Sequence, residues 1–280
     1  MIEPLCWGEP LIEQIESPVP PGMLVLWWLG QSGFLFKSSG GLLAVDLYLS
    51  EYLTRKYAGT DREHVRMTRS PLRGRDLRQV DLLLASHKHS DHLDPETAAE
   101  LLEASPSAQL IIPAAIRDHA LGLGISADRI RGIDANDVVE AAGFRVRAIP
   151  AAHEGLERDR DGRFLHLGFV IESEGMRVYH SGDSLAYDGL VENLGPGPFD
   201  VLLLPINGRD SARGVPGNMS AAEAVNLAMA VRPRYLVPHH YDMFTFNTVP
   251  IDEFRGAARR LPSRIEARIL KCGERWEITR

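Results

Sequence analysis

The sequence predicts an α/β protein (in the α+β sense), with two mixed β-sheets packed face to face and helices outside. Three observations lead there. Short apolar runs of strand length come first, strands then alternate with helical segments, and the order repeats. Two runs, 80–86 and 201–205, show no polar alternation, as strands buried on both faces do. A chain of 280 residues suits one such domain, 1–280.

The elements follow in order. Residues 1–22 read as an acidic amphipathic N-terminal extension, ended by Pro18, Pro20, Pro21 and Gly22. Strands over 24–29, 34–36 and 42–47 form a meander, with tight turns at Gly30-Gln31-Ser32-Gly33 and Ser38-Ser39-Gly40-Gly41. Residues 51–75 are a basic stretch in an acidic protein and read as a partly helical insertion or lid. The strand over 80–86 runs into His87. Asp94 then caps a helix through Ala104, with Pro95 at its first position. A strand over 110–113, a helix over 114–123 and strands over 137–142 and 144–149 come next. Residues 164–172 and 176–181 form a hairpin across Ser173-Glu174-Gly175. After the strand over 201–205, Ser220 and Glu223 have capping-box spacing for a helix over 220–231. A strand over 235–238 leads into His239 and His240, a helix covers 251–260, and 266–278 returns as strand.

Composition narrows the function. The two cysteines, Cys6 and Cys272, form no CxxC pair, so no disulfide framework is expected and a reducing compartment fits. The N-terminus has no basic start or apolar core of a secretory signal, and no window of 18 apolar residues spans a membrane. The expectation is a cytoplasmic protein. A net charge of -7 gives no support to non-specific nucleic-acid binding, which leaves a small molecule as the expected partner. The sequence leaves the oligomeric state open, a homo-oligomer included.

The strongest chemical signal is His87-Lys88-His89-Ser90-Asp91-His92, directly after a buried strand. Neutral imidazole and carboxylate are ligands for zinc and related divalent ions. In a loop leaving a strand, His87 and His89 can point one way and Asp91 and His92 the other, so one segment can serve two adjacent metals. Three more strand-end segments carry donors: His153, Asp183, and the pair His239 and His240. Four such clusters can converge on one rim.

The HxHxDH run, the later histidine, the Gly-Asp pair and the final histidine resemble the metallo-β-lactamase superfamily. Trp27-Trp28-Leu29-Gly30, Leu84-Ala85-Ser86-His87, Tyr179-His180-Ser181-Gly182-Asp183-Ser184 and Pro238-His239-His240 resemble its L-ascorbate-6-phosphate lactonase family more narrowly. The resemblance implies an αββα four-layer sandwich. It also implies a first metal on His87, His89 and His153, a second on Asp91, His92 and His240, and Asp183 bridging both. Asp46 would be a carboxylate behind the ligands that orients a metal-bound histidine.

The expected activity is therefore hydrolysis with two divalent ions, zinc first, with manganese or iron admitted by the same donors. A hydroxide shared by the two ions would open a lactone of a phosphorylated or acidic small molecule, with Asp91 and Asp183 as the catalytic carboxylates. The alternative is a phosphodiesterase acting on cyclic nucleotides or RNA at the same site. The basic stretch 51–75, with Arg209 and Arg213 in a loop after a buried strand, offers guanidinium groups for a phosphate or carboxylate on the substrate. Most of the stretch reads as solvated surface, so Arg209 and Arg213 are the residues expected to bind it, with His239 lining the pocket.

Overall fold

The computed structural model describes residues 1–210, 213–215 and 217–280. Its first sheet draws on β1 (Leu24–Trp28), β2 (Phe34–Lys37), β3 (Leu42–Val45), β4 (Leu82–Leu84), β5 (Gln109–Pro113) and β6 (Ile130–Ile133). Its second draws on β7 (Val138–Ala141), β8 (Phe144–Pro150), β9 (Leu167–Ser173), β10 (Met176–His180), β11 (Val201–Pro205), β12 (Tyr235–His239) and β13 (Glu266–Ala267). The last strand, β14 (Glu274–Ile278), returns to the first sheet beside β1. The strand orders are β14-β1-β2-β3-β4-β5-β6 and β13-β12-β11-β10-β9-β8-β7. Both sheets are mixed: β3, β4, β5 and β6 run parallel, as do β10, β11, β12 and β13, and the remaining pairings, on one side of each block, are antiparallel.

The expected two-sheet sandwich is present, and the burial pattern explains it. In β1, Leu24, Leu26 and Trp28 join the core between the sheets, where Val146, Phe169 and Val178 come from the opposite sheet. Val25, Trp27 and Leu29 face outward under α1 (Glu9–Glu16) and α3 (Pro95–Ala104), against Leu11, Ile15 and Leu101. Both faces of the strand are buried, so its alternation is one of partner and not of polarity. On the far side, α6 (Ala221–Val231) and α7 (Ile251–Ala258) cover the second sheet through Ala224, Val225 and Phe254. The Asp94 side chain caps α3 by accepting from the Glu96 N–H, and Ser220 with Glu223 closes the capping box of α6.

The structure corrects the reading of 266–278 as a single strand. Residues 266–267 pair with β12 and residues 274–278 with β1, so the segment crosses from one sheet to the other. The turn at Gly273, with φ of 75°, makes the break. Two further elements, β6 and α5 (Leu190–Leu194), are absent from the sequence-based reading. β6 has the burial pattern of an edge strand, with Arg131 and Gly132 exposed, so it lacks an apolar run.

The basic stretch 51–75 contains α2 (Tyr52–Lys56) and is tied down. Arg66 is buried, places its Nε 2.8 Å from Glu51 Oε1 and donates from Nη2 to the Ser50 carbonyl at 2.6 Å. Backbone bridges join Arg66 to Phe244 and Thr68 to Ile2. Several of its arginines are therefore structural.

Candidate metal centre

Four strand ends meet at one rim. The segment after β4 delivers His87, His89, Asp91 and His92; the loop after β8 delivers His153; the turn after β10 delivers Asp183; and His240 follows β12. Parallel neighbours end on the same side, which is why residues far apart in sequence converge here.

Candidate ligand atoms lie within 4.8 Å of one another in three groups: His87, His89 and His153; His87, His92 and Asp183; Asp91, His92 and His240. Asp183 sits at the centre. Its Oδ2 is 3.3 Å from His92 Nε2, 3.4 Å from His240 Nε2 and 3.7 Å from His153 Nε2. Asp91 Oδ2 is 3.6 Å from both His92 Nε2 and His240 Nε2. His153 Nε2 is 3.3 Å from His89 Nδ1. All seven residues named as ligands from the sequence are brought together.

The residues fit a metal on physical grounds. His87 Nε2, His92 Nε2 and Asp183 Oδ1 are buried with no hydrogen-bond partner. Buried polar atoms without partners are rare, and imidazole nitrogens converging with carboxylates are the donor set of a divalent cation. Electrostatics agree. Burial pushes His87 well below its ordinary pKa, with His92 adding to the effect, and it pushes His89 down to about 4. Both rings are thus neutral and able to donate a lone pair. Burial also pushes His92 down, but Asp183, Asp46 and Asp91 outweigh it and raise its pKa well above the ordinary value. That concentration of negative charge is what a bound cation would meet.

Asp46 stands behind the ligands. Its Oδ2 is 2.7 Å from His92 Nδ1, and it accepts from the Ser86 N–H and hydroxyl, each at 2.7 Å. Nδ1 therefore carries the proton, which leaves His92 Nε2 free to ligate.

Two contributors escaped the sequence. Gln31 is buried and donates from Nε2 to Asp91 Oδ2 at 2.8 Å, and its carbonyl accepts the His240 N–H at 3.0 Å. Its φ of 49° marks the tight turn after β1. Turn position was the only available signal. His166 is buried with its ring 5.2 Å from His87 and 5.5 Å from His153. Burial and the neighbouring His153 and His89 push its pKa down to about 3. Its place just before β9 gave no sign of this.

The expected substrate-binding residues are placed differently. His239 is a correction: it is fully buried, stacks on His180 with ring centroids 5.0 Å apart, and has Nδ1 3.0 Å from Ser32 Oγ. It supports the wall from behind and does not line the cleft. Arg209 is likewise committed, with Nη1 and Nη2 on the two carboxylate oxygens of Glu223 at 3.1 and 2.5 Å. Its ion pair completes the cap of α6. Arg213 donates to the Asn207 carbonyl and to Asn247 Oδ1, at 2.8 and 3.0 Å, bracing a loop beside the cleft. The cleft itself holds about 460 Å³ and is lined by His89, Asp91, His153, Asp183 and His240 on its floor.

Fold and site together define a metal-dependent hydrolase. The chain belongs to the metallo-β-lactamase superfamily: the family model described as a Beta-lactamase superfamily domain matches residues 58–241. Among curated relatives, it is 26% identical over 269 residues to a probable L-ascorbate-6-phosphate lactonase of Salmonella heidelberg, covering 85% of this chain and 75% of that one. The protein of the same description from Escherichia fergusonii matches at the same identity and coverage. Among solved structures, the metallo hydrolase Igni18 of Ignicoccus hospitalis superposes with a TM-score of 0.66 at 21% identity, covering 91% of this chain and 98% of that one. The isothiocyanate hydrolase from Delia radicum gut bacteria gives 0.69 at 18% identity, with 91% and 100% covered. These structural likenesses concern the fold. No helix among the described residues is long and apolar enough to cross a membrane.

Proposed function

We propose that this protein is a cytoplasmic, binuclear metal-dependent hydrolase of lactonase type, opening the cyclic ester of an anionic small molecule. The observation that supports this best is Asp183, whose one carboxylate stands between His153 on one side and the His92–His240 pair on the other. His87, His89 and His153 would hold one ion, Asp91, His92 and His240 the second, and Asp183 would touch both. Zinc suits this donor set, and manganese or iron is compatible with it. Bound there, the ions would supply Lewis acidity toward a carbonyl oxygen and a water acidified enough to attack at neutral pH.

The chain's own residues do the rest. Asp91, on the cleft floor and steadied by Gln31, accepts the proton of the attacking water and returns it to the leaving alkoxide. Asp46 keeps His92 in one tautomer throughout. The distant likeness to lactonases, at 26% identity, favours a cyclic carboxylic ester over other acyl substrates.

The test is metal content per chain on purified protein together with turnover of a lactone panel against a phosphodiester panel. About two ions with lactone turnover is the expected result. Two ions with phosphodiester turnover alone would move the protein to phosphodiester hydrolysis, and no ion after reconstitution would end the proposal.

A further inference from the structure

The cleft has a cationic upper wall, made by two members of the basic 51–75 stretch and by one residue outside both that stretch and the ligand set. Lys56, at the end of α2, Arg62, from the loop beyond it, and Lys88, between ligands His87 and His89, all line the cleft that Asp91, Asp183 and His240 floor. Among the described residues, none of the three forms an ion pair. In a chain of net charge -7 several nearby basic side chains are paired instead with carboxylates: Arg55 with Glu96, Arg66 with Glu51 and Arg209 with Glu223.

Arg62 reaches across to Gly214. A β-carbon on Gly214 would lie 2.8 Å from Arg62 Nη2, and Gly214 has φ of 60°. The missing side chain lets the guanidinium cross the cleft mouth to the opposite loop. Lys56 is steered by the rings of Tyr52 and Tyr57, with Nζ 5.6 and 5.4 Å from their centroids. The positive field is felt locally. Burial lowers the pKa of His119, a cleft residue, and the charges of Lys88 and Lys56 lower it further. His64, also on the wall, is lowered by burial; the Arg62 carbonyl and Asp91 act to raise it and Lys56 to lower it. The three cations thus face the carboxylates of Asp91 and Asp183 across the same cleft.

We propose that Lys56, Arg62 and Lys88 form an oxyanion subsite above the metal floor, reading a phosphate or carboxylate carried on the substrate away from its reacting bond. This rests on the hydrolase reading for the location of that bond, but recognition of the anion is independent of turnover. A guanidinium and two ammonium groups around one cleft match a tetrahedral or planar oxyanion. The subsite also accounts for the commitment of Arg209 and Arg213 elsewhere: anion recognition falls to the 51–75 stretch and the first ligand loop, not to the 207–214 loop.

The test uses binding to the metal-loaded protein. Glucose 6-phosphate, glucuronate and unmodified glucose are titrated calorimetrically into wild type and into Lys56→Ala, Arg62→Ala and Lys88→Ala. The charge-keeping Lys56→Arg and Arg62→Lys are run in parallel. Wild type should prefer at least one anionic sugar to glucose, and each alanine variant should weaken that sugar by roughly tenfold or more, as expected for losing a charged hydrogen bond. The charge-keeping variants should recover most of the binding. The phosphate and carboxylate arms show which oxyanion the wall reads. Equal affinity for glucose and both anionic sugars would overturn the subsite, and so would alanine variants that bind the anion as wild type does, because the anion would then sit on the metals alone. Metal content, measured on every variant, separates loss of the wall from loss of the floor. Failure on the lactone panel would sink the lactonase reading and leave this binding result standing.

Discussion

Asp46 Oδ2 approaches His92 Nδ1 to 2.7 Å, and both groups are fully buried. This contact sets the direction of His92 Nε2 toward Asp183 and, through Ser86, ties the end of β3 to the segment that carries four candidate ligands. Replacing Asp46 with Ala should lower metal affinity about 10- to 100-fold, the usual effect of losing such a partner. Competition with a chelator of known affinity measures it, and an unchanged constant would remove Asp46 from this role.

Stripping the metal should destabilise the fold. His87 Nε2, His92 Nε2 and Asp183 Oδ1 have no other partner, so the ion-free protein keeps buried polar atoms unsatisfied. The melting temperature should fall on chelation and recover as divalent ion is added back, rising with free ion concentration as linkage requires. A melting curve indifferent to chelator would mean that the cluster binds nothing that matters to folding.

Gln31 fixes Asp91 by a 2.8 Å hydrogen bond. Gln31→Ala should leave metal content intact and cut kcat by about tenfold or more, since a proton carrier loses effectiveness when its geometry loosens. A change confined to KM would assign Gln31 to substrate contact instead.

Glu223 yields a pH prediction. Burial pushes its carboxyl up, but hydrogen bonds from Arg209 and Ser220 outweigh burial and hold its pKa below the ordinary 4.5. A depressed carboxyl contributes stability that is present above its unfolded pKa and lost as pH falls through the folded one. Glu223→Gln should therefore cost about 1 kcal/mol near pH 7, the scale of a lost cap. The gap from wild type should close below about pH 4.5. Denaturant melts at pH 7 and pH 4 compare the two, and a gap constant with pH would show that the carboxylate charge contributes nothing.

Gly182 lies between His180 and Asp183 with φ of 59°, and a β-carbon there would come 2.6 Å from Ser86 Cβ. Gly182→Ala should cost about 1–3 kcal/mol from overlap. It should also weaken metal binding, because Ser86 is the group through which Asp46 is held. Stability and chelator competition together check this, and a loss of stability with unaltered metal affinity would separate the turn from the site.

Much of this was legible in the chain. Candidate ligands that follow apolar strand runs, such as His87 after 82–84 and His240 after 235–239, announce themselves because a buried strand and a polar rim differ sharply in composition. Capping residues Asp94 and Ser220 were equally readable, since a cap is satisfied within a few residues of its own position. Gln31 was not, because its partner Asp91 lies 60 residues away and a glutamine in a turn carries no periodic signal.

The sequence by itself determined the sandwich and the strand ends that carry donor residues, because these depend on local periodicity and on rare donor types in short spans; the grouping of the seven candidate ligands came from the family resemblance. Tertiary structure alone decided the pairing of charges. Arg209 and Arg62 look alike in the chain, yet one is neutralised by Glu223 and the other crosses the cleft beside Gly214. Whether a cation is spent on a carboxylate or left facing a cavity depends on distances of a few ångströms between distant segments, and only folding sets those distances.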